Sequence, residues 1–95
     1  MEYGEENVTC SAILNSQGVL YKKWEKYERA RDSYERSLAI RIKFFGEEHP
    51  ETCATRHNLG ELMVMMNKPD QAQEYFEANV EIMGRKSKKQ REEHE

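Results

Sequence analysis

Histidine, cysteine and paired glutamate are the side chains here with the most reactive chemistry to offer, and none of them is arranged to use it. The chain has three histidines, His49, His57 and His94. A metal needs several ligands converging on one point. His49 falls in a loop and His94 in a polar tail, neither at ligand spacing from His57, so no metal site is expected. His49 stands before Pro50 and reads as a helix-start residue. Cys10 and Cys53 are too few for a disulfide framework. Each lies near the start of a helical pattern, where a small apolar residue, buried or half-buried in a reducing compartment, is the simpler reading. The doublets Glu5–Glu6 and Glu47–Glu48 fall on turns without an apolar pocket, and read as solvated charges rather than an acid–base pair. No Gly-rich phosphate loop, nucleophile elbow or HExxH helix occurs. Neither a catalytic residue nor a cofactor site is expected.

Composition bounds the domain and its partners. A chain of 95 residues holds one small domain with a modest core. A net charge of −3 supplies no basic face, so nucleic acid is not an expected partner. No window approaches the roughly 18 apolar residues of a membrane span, so no membrane partner is expected. The start, Met1–Glu2–Tyr3–Gly4–Glu5–Glu6, is acidic and polar where a signal peptide would be basic and then apolar. The expected compartment is the cytoplasm.

The chain repeats itself. Tyr3–Gly4–Glu5–Glu6 returns 42 residues later as Phe45–Gly46–Glu47–Glu48. The same offset pairs Ala12 with Ala54, Gly18 with Gly60, Leu20 with Leu62, Lys26 with Lys68, Ala30 with Ala72, Glu35 with Glu77 and Ile40 with Ile82. A fixed period of this size marks stacked copies of one supersecondary unit. Apolar spacing predicts four helices. The first spans about 8–23, with Ile13, Leu14, Gln17, Gly18 and Tyr21, and Leu20 beside them. The second spans about 27–44, with Tyr27, Ala30, Tyr34, Leu38 and Ile42 on one face, and Gly46 beyond its end. Pro50–Glu51 opens the third, which holds Leu59, Gly60, Leu62, Met63 and Met66. Pro69–Asp70 opens the fourth, with Ala72, Tyr75, Phe76, Val80, Ile82 and Met83, and Gly84 as a candidate interruption. The expected division is an inter-repeat turn at 1–7, one unit at 8–45, a second at 46–84, and a polar helical extension or tail at 85–95. Its run Arg85–Lys86–Ser87–Lys88–Lys89–Gln90–Arg91 reads as a solvated helix end whose cations suit the negative C-terminal dipole. The pattern opens at an inter-unit loop, which fits a whole chain or a piece of a longer array alike; in the second case a targeting segment of the parent would lie out of view.

Each unit has one internal grammar. A small residue sits mid-way through the first helix (Gly18, Gly60), another early in the second (Ala30, Ala72), and an aromatic one turn later (Tyr34, Phe76). Small residues let antiparallel helices approach, and the aromatic fills the seam. Truncating such a ring to Ala should cost roughly 3–5 kcal/mol. These residues resemble the tetratricopeptide repeat, whose first helix has a Leu–Gly step and an aromatic three residues on, and whose second has an Ala and an aromatic. Leu59–Gly60 with Met63, and Gln17–Gly18 with Tyr21, fit in part. The link Gly46–Glu47–Glu48–His49–Pro50–Glu51–Thr52, with Tyr34–Glu35–Arg36–Ser37–Leu38–Ala39–Ile40–Arg41 and His57–Asn58–Leu59–Gly60, is similar to the 42-residue subtype of kinesin light chains. The resemblance covers about residues 3–84. It implies an all-α fold of two helix-turn-helix hairpins, four antiparallel helices forming a solenoid fragment. Gln17 departs from the expected Leu, Arg56 stands at a site usually large and apolar, and Met63, Met65 and Met66 replace an aromatic and polar mix.

In that family the first helix of each unit lines a concave groove. Counted from the small residue, the resemblance puts Ala12, Asn15, Ser16, Val19, Lys22 and Lys23 of the first unit there, and Ala54, His57, Asn58, Glu61 and Met65 of the second. The implied peptide-groove set is Asn15, Ser16, Val19, Lys22, Lys23, His57, Asn58 and Glu61. Asn58 leads it, since a side-chain amide both donates to and accepts from a peptide main chain. The Lys and Asn set that grips a C-terminal carboxylate is not reproduced, because Asn15 and Val19 stand at its two first-unit sites; chaperone-tail binding is not implied. The expected partner is a protein or peptide. The alternative is a homodimer through end faces that both expose apolar residues such as Tyr75, Phe76, Val80 and Met83.

Overall fold

The computed structural model describes residues 7–93, with side chains through Arg85. They form α1 (Val8–Lys23), α2 (Tyr27–Phe45), α3 (Pro50–Met65) and α4 (Pro69–Glu93). Among the described residues there is no strand. Residues 1–6, including most of the expected opening turn and Glu5–Glu6, lie outside them.

Local chemistry sets the helix ends. The Asn7 side chain accepts from the Cys10 N–H at 2.7 Å and caps α1. His49 Nδ1 accepts from the Glu51 N–H at 3.1 Å, and its ring stacks on Phe45 at 4.2 Å, so one side chain caps α3 and pins it to the end of α2. Both hairpin turns use one device. Lys26 N–H donates to Tyr21 O at 2.8 Å and Glu25 N–H to Lys22 O at 2.9 Å. In the second hairpin Lys68 N–H donates to Met63 O at 2.8 Å and Asn67 N–H to Val64 O at 3.0 Å. This paired closure needs a left-handed residue just past the helix. Glu25 and Asn67 supply it, each with φ 62. Gly84 does not interrupt α4, which runs on to Glu93. A Cβ there would meet nothing within 4 Å; no neighbour forces a break, and one mid-helix glycine costs only about 1 kcal/mol.

Packing is sequential: α1 on α2, α2 on α3, α3 on α4. The continuous core is Ala30, Tyr34, Leu59, Leu62, Met63 and Ala72, with Val19, Tyr21, Tyr75 and Phe76 packed against it. The glycines make the close approach possible. A Cβ on Gly18 would stand 2.5 Å from the Tyr34 ring, and one on Gly60 would meet Phe76 still more tightly. The hydrogen bonds also repeat. Ser37 Oγ donates to Ser11 O at 2.7 Å, and 42 residues on, Asn79 Nδ2 donates to Cys53 O at 2.9 Å.

Three burial expectations change. The covered residues of α2 are Ala30, Ser33, Tyr34, Ser37, Ile40 and Arg41, whereas Tyr27, Leu38 and Ile42 are half-buried. α2 lies between two helices, so its covered stripe is wide and partly polar. Ile13 and Leu20 point outward, 52% and 48% exposed, because no helix covers that side of α1. Tyr75 and Phe76 are half-buried rather than exposed, Phe76 because it fills the Gly60 notch. Val80 and Met83 do stand out, at 72% and 58%. Met63 is fully buried, and Met65 is exposed.

Candidate functional site

The two first helices, α1 and α3, carry all eight candidate groove residues. Two pairs among them touch. Asn58 Nδ2 donates to Asn15 Oδ1 at 3.1 Å, joining the first helices of neighbouring hairpins. His57 Nε2 stands 3.3 Å from Glu61 Oε2 one turn along α3, an ion pair whenever the imidazole is protonated. The His57 ring also leans on Phe76 at 5.3 Å. Ser16 and Lys23 are exposed and Lys22 is half-buried. Lys22 and Lys23 occupy the last turn of α1, where cations suit the helix dipole. Val19 is half-buried and packs against the core. The Asn15–Asn58 pair has amide hydrogens and an amide oxygen to spare among the described residues, an alternation that matches a peptide main chain.

Beneath the pair lies a polar joint that the periodicity did not point to. Arg41 of α2 is 6% exposed. Its Nη1 donates to Thr55 Oγ1 at 2.6 Å and to Glu51 O at 3.2 Å, and its Nε donates to Ser11 Oγ at 3.2 Å. Nη2 lies 3.4 Å from the Glu51 carboxylate. Thr55 Oγ1 also faces Asn15 Oδ1 at 3.4 Å. One guanidinium therefore ties α2 to both first helices and connects through Thr55 to Asn15, a candidate groove residue. Arg56 does comparable work in the second hairpin. It is 4% exposed, donates to Asn79 Oδ1 at 2.8 Å, and lies 3.4 Å from Glu47. Glu47 is thus an ion-pair partner and not merely a solvated charge. Arg41 and Arg56 interrupt otherwise apolar helix faces, and small hydroxyls at Ser11, Ser37 and Thr55 accompany them. A buried arginine needs such acceptors nearby, which is the sequence signal available for this joint.

A recess of about 420 Å³ opens between α1 and α2 beside Gln17, Tyr21 and Ser33. Its cause is local, because the second hairpin has Leu59, Met63 and Tyr75 at those positions. Two hydroxyls respond to their surroundings. Burial, and then the nearby Glu61 carboxylate, hold the Tyr34 phenol above its usual range. Burial does the same for Tyr75, with Glu35 adding to it and Arg31 opposing.

The family model for the tetratricopeptide repeat matches residues 9–83. The chain belongs to the tetratricopeptide repeat family. No curated protein matches it. The tetratricopeptide repeat is a protein-interaction fold rather than a catalytic one, in keeping with side chains that hold helices together. Among the described residues no helix is long and apolar enough to cross a membrane.

Proposed function

We propose that this tetratricopeptide repeat chain is an adaptor that holds an extended peptide or protein segment along α1 and α3. The observation that carries the reading is the Asn15–Asn58 hydrogen bond across the two first helices. It presents donors and acceptors at a fixed spacing, braced from behind by the Arg41–Thr55 contact. Lys22 and Lys23 favour acidic residues in the segment, while Glu61 favours a basic or amide group. The 42-residue period and the Gly46–Thr52 link support the kinesin-light-chain-like subtype, and a cytoplasmic scaffold suits it.

Panning a displayed random-peptide library against the chain tests this. Enriched peptides should bind the parent, and binding should fall about tenfold or more with Asn58→Ala, the loss of roughly 1.4 kcal/mol expected for hydrogen bonds in a partly desolvated groove. Lys22→Glu should weaken acidic peptides selectively. Far-ultraviolet circular dichroism should be unchanged in both variants. Failure to enrich any peptide, or equal binding by parent and variants, removes the groove as the site.

A further inference from the structure

The two outer faces of the stack correspond, position by position, to the two sides of its internal joint. Thr55, Leu59 and Leu62 of α3 are all 0% exposed, and Leu59 and Leu62 share a cluster with Ala30 and Tyr34 of α2. At the same places in α1, 42 residues earlier, stand Ile13, Gln17 and Leu20. Among the described residues nothing covers that side of α1, and Trp24, the counterpart of half-buried Met66, is 62% exposed. The opposite end is the complement. α2 turns Ala30, Tyr34 and Arg41 toward the joint, and α4 has Ala72, Phe76 and Met83 in their places.

The replacements come in matched pairs. Inside the chain Arg41 meets Thr55 through a 2.6 Å hydrogen bond. At the outer faces the equivalent positions are Met83 and Ile13, 58% and 52% exposed. A polar pair within becomes an apolar pair without, with neither member mismatched. We propose that α4 of one chain packs on α1 of a second copy in the register of the α2–α3 joint, with Met83 against Ile13, so that copies stack head to tail. The contact continues an interface the chain already contains. It covers Ile13, Leu20 and Trp24 on one side and Val80 and Met83 on the other. Since the two faces differ, the association is heterologous and does not close at two copies. These end-face residues are not in the groove set, so either reading can fail alone.

Sedimentation of the full chain over a concentration series tests the proposal. The average mass should climb past two copies without a plateau. A mass that stays at one copy into the millimolar range overturns it, and so does a mass that levels at two. Ile13→Glu and Met83→Glu each spoil one face and spare the other. Each variant alone should stay at one copy, and an equal mixture should form a species of two copies and stop. Growth that persists in either variant, or a mixture of helical variants that remains single, counts against it. Should a variant lose helicity, the parent's own curve decides.

Discussion

Tyr34 and Phe76 occupy the same notch in the two hairpins, but only Tyr34 carries a hydroxyl. That oxygen is buried and has no hydrogen-bond partner among the described residues. An unsatisfied buried polar group costs roughly 1–3 kcal/mol, so Tyr34→Phe should stabilise the chain by about 1–2 kcal/mol in urea titration, the lower part of that range. The second hairpin already makes this choice. The phenol also sets a pH dependence. Tyr34 and Tyr75 are both shifted upward in the folded chain, which therefore holds their protons more tightly than the unfolded chain does. Their contribution is complete below the ordinary tyrosine value of about 10 and declines as the pH climbs beyond it. Urea midpoints measured across that alkaline range should fall less steeply in Tyr34→Phe than in the parent. A variant that is less stable at neutral pH would mean the hydroxyl has a partner after all.

Helices α2 and α3 meet through Arg41, and what that arginine contributes depends on Thr55. Removing one member of a buried polar set strands the other. Arg41→Met alone, or Thr55→Ile alone, should cost on the order of 2–4 kcal/mol. The double variant copies the Met83 and Ile13 of the outer faces and should cost clearly less than the sum of the singles. Strict additivity in that cycle would show that the two side chains do not act together. The joint also marks how far the sequence could be read. Helix number, turns, the His49–Pro50 helix start and the Gly18 and Gly60 notches were legible, because each follows from a local rule or from the period. Gly84 misled, because glycine permits a break without requiring one. The covered face of α2 was read too narrowly: a single apolar stripe describes a helix with one neighbour, and α2 has two. Asn15 and Asn58 were candidates by the family pattern alone, which said nothing of the bond between them, because that depends on how the hairpins pack. Arg41, Ser11 and Thr55 join the hairpins there by hydrogen bonds, and their polarity sends no periodic signal.

Across the molecule, contacts between the helices link mainly sequence neighbours, as in any linear stack. Nothing in such an architecture limits growth except the chemistry of the two outermost surfaces. Here those surfaces are apolar, with Trp24 on one and Val80 on the other. Association through them should therefore be nearly indifferent to sodium chloride, which screens charge, and should strengthen in sodium sulfate, which favours apolar burial. Light scattering against salt identity distinguishes this from association by the charged extension, which sodium chloride would weaken. The forked grip of Arg41 has a mechanical corollary for any such filament. Within each chain the seam between hairpins is keyed by directional bonds and resists slippage, while the Met83–Ile13 seam is greased and lets its two sides slide. Stiff segments one chain long would then alternate with compliant ones, and bending seen by electron microscopy should gather at every second seam.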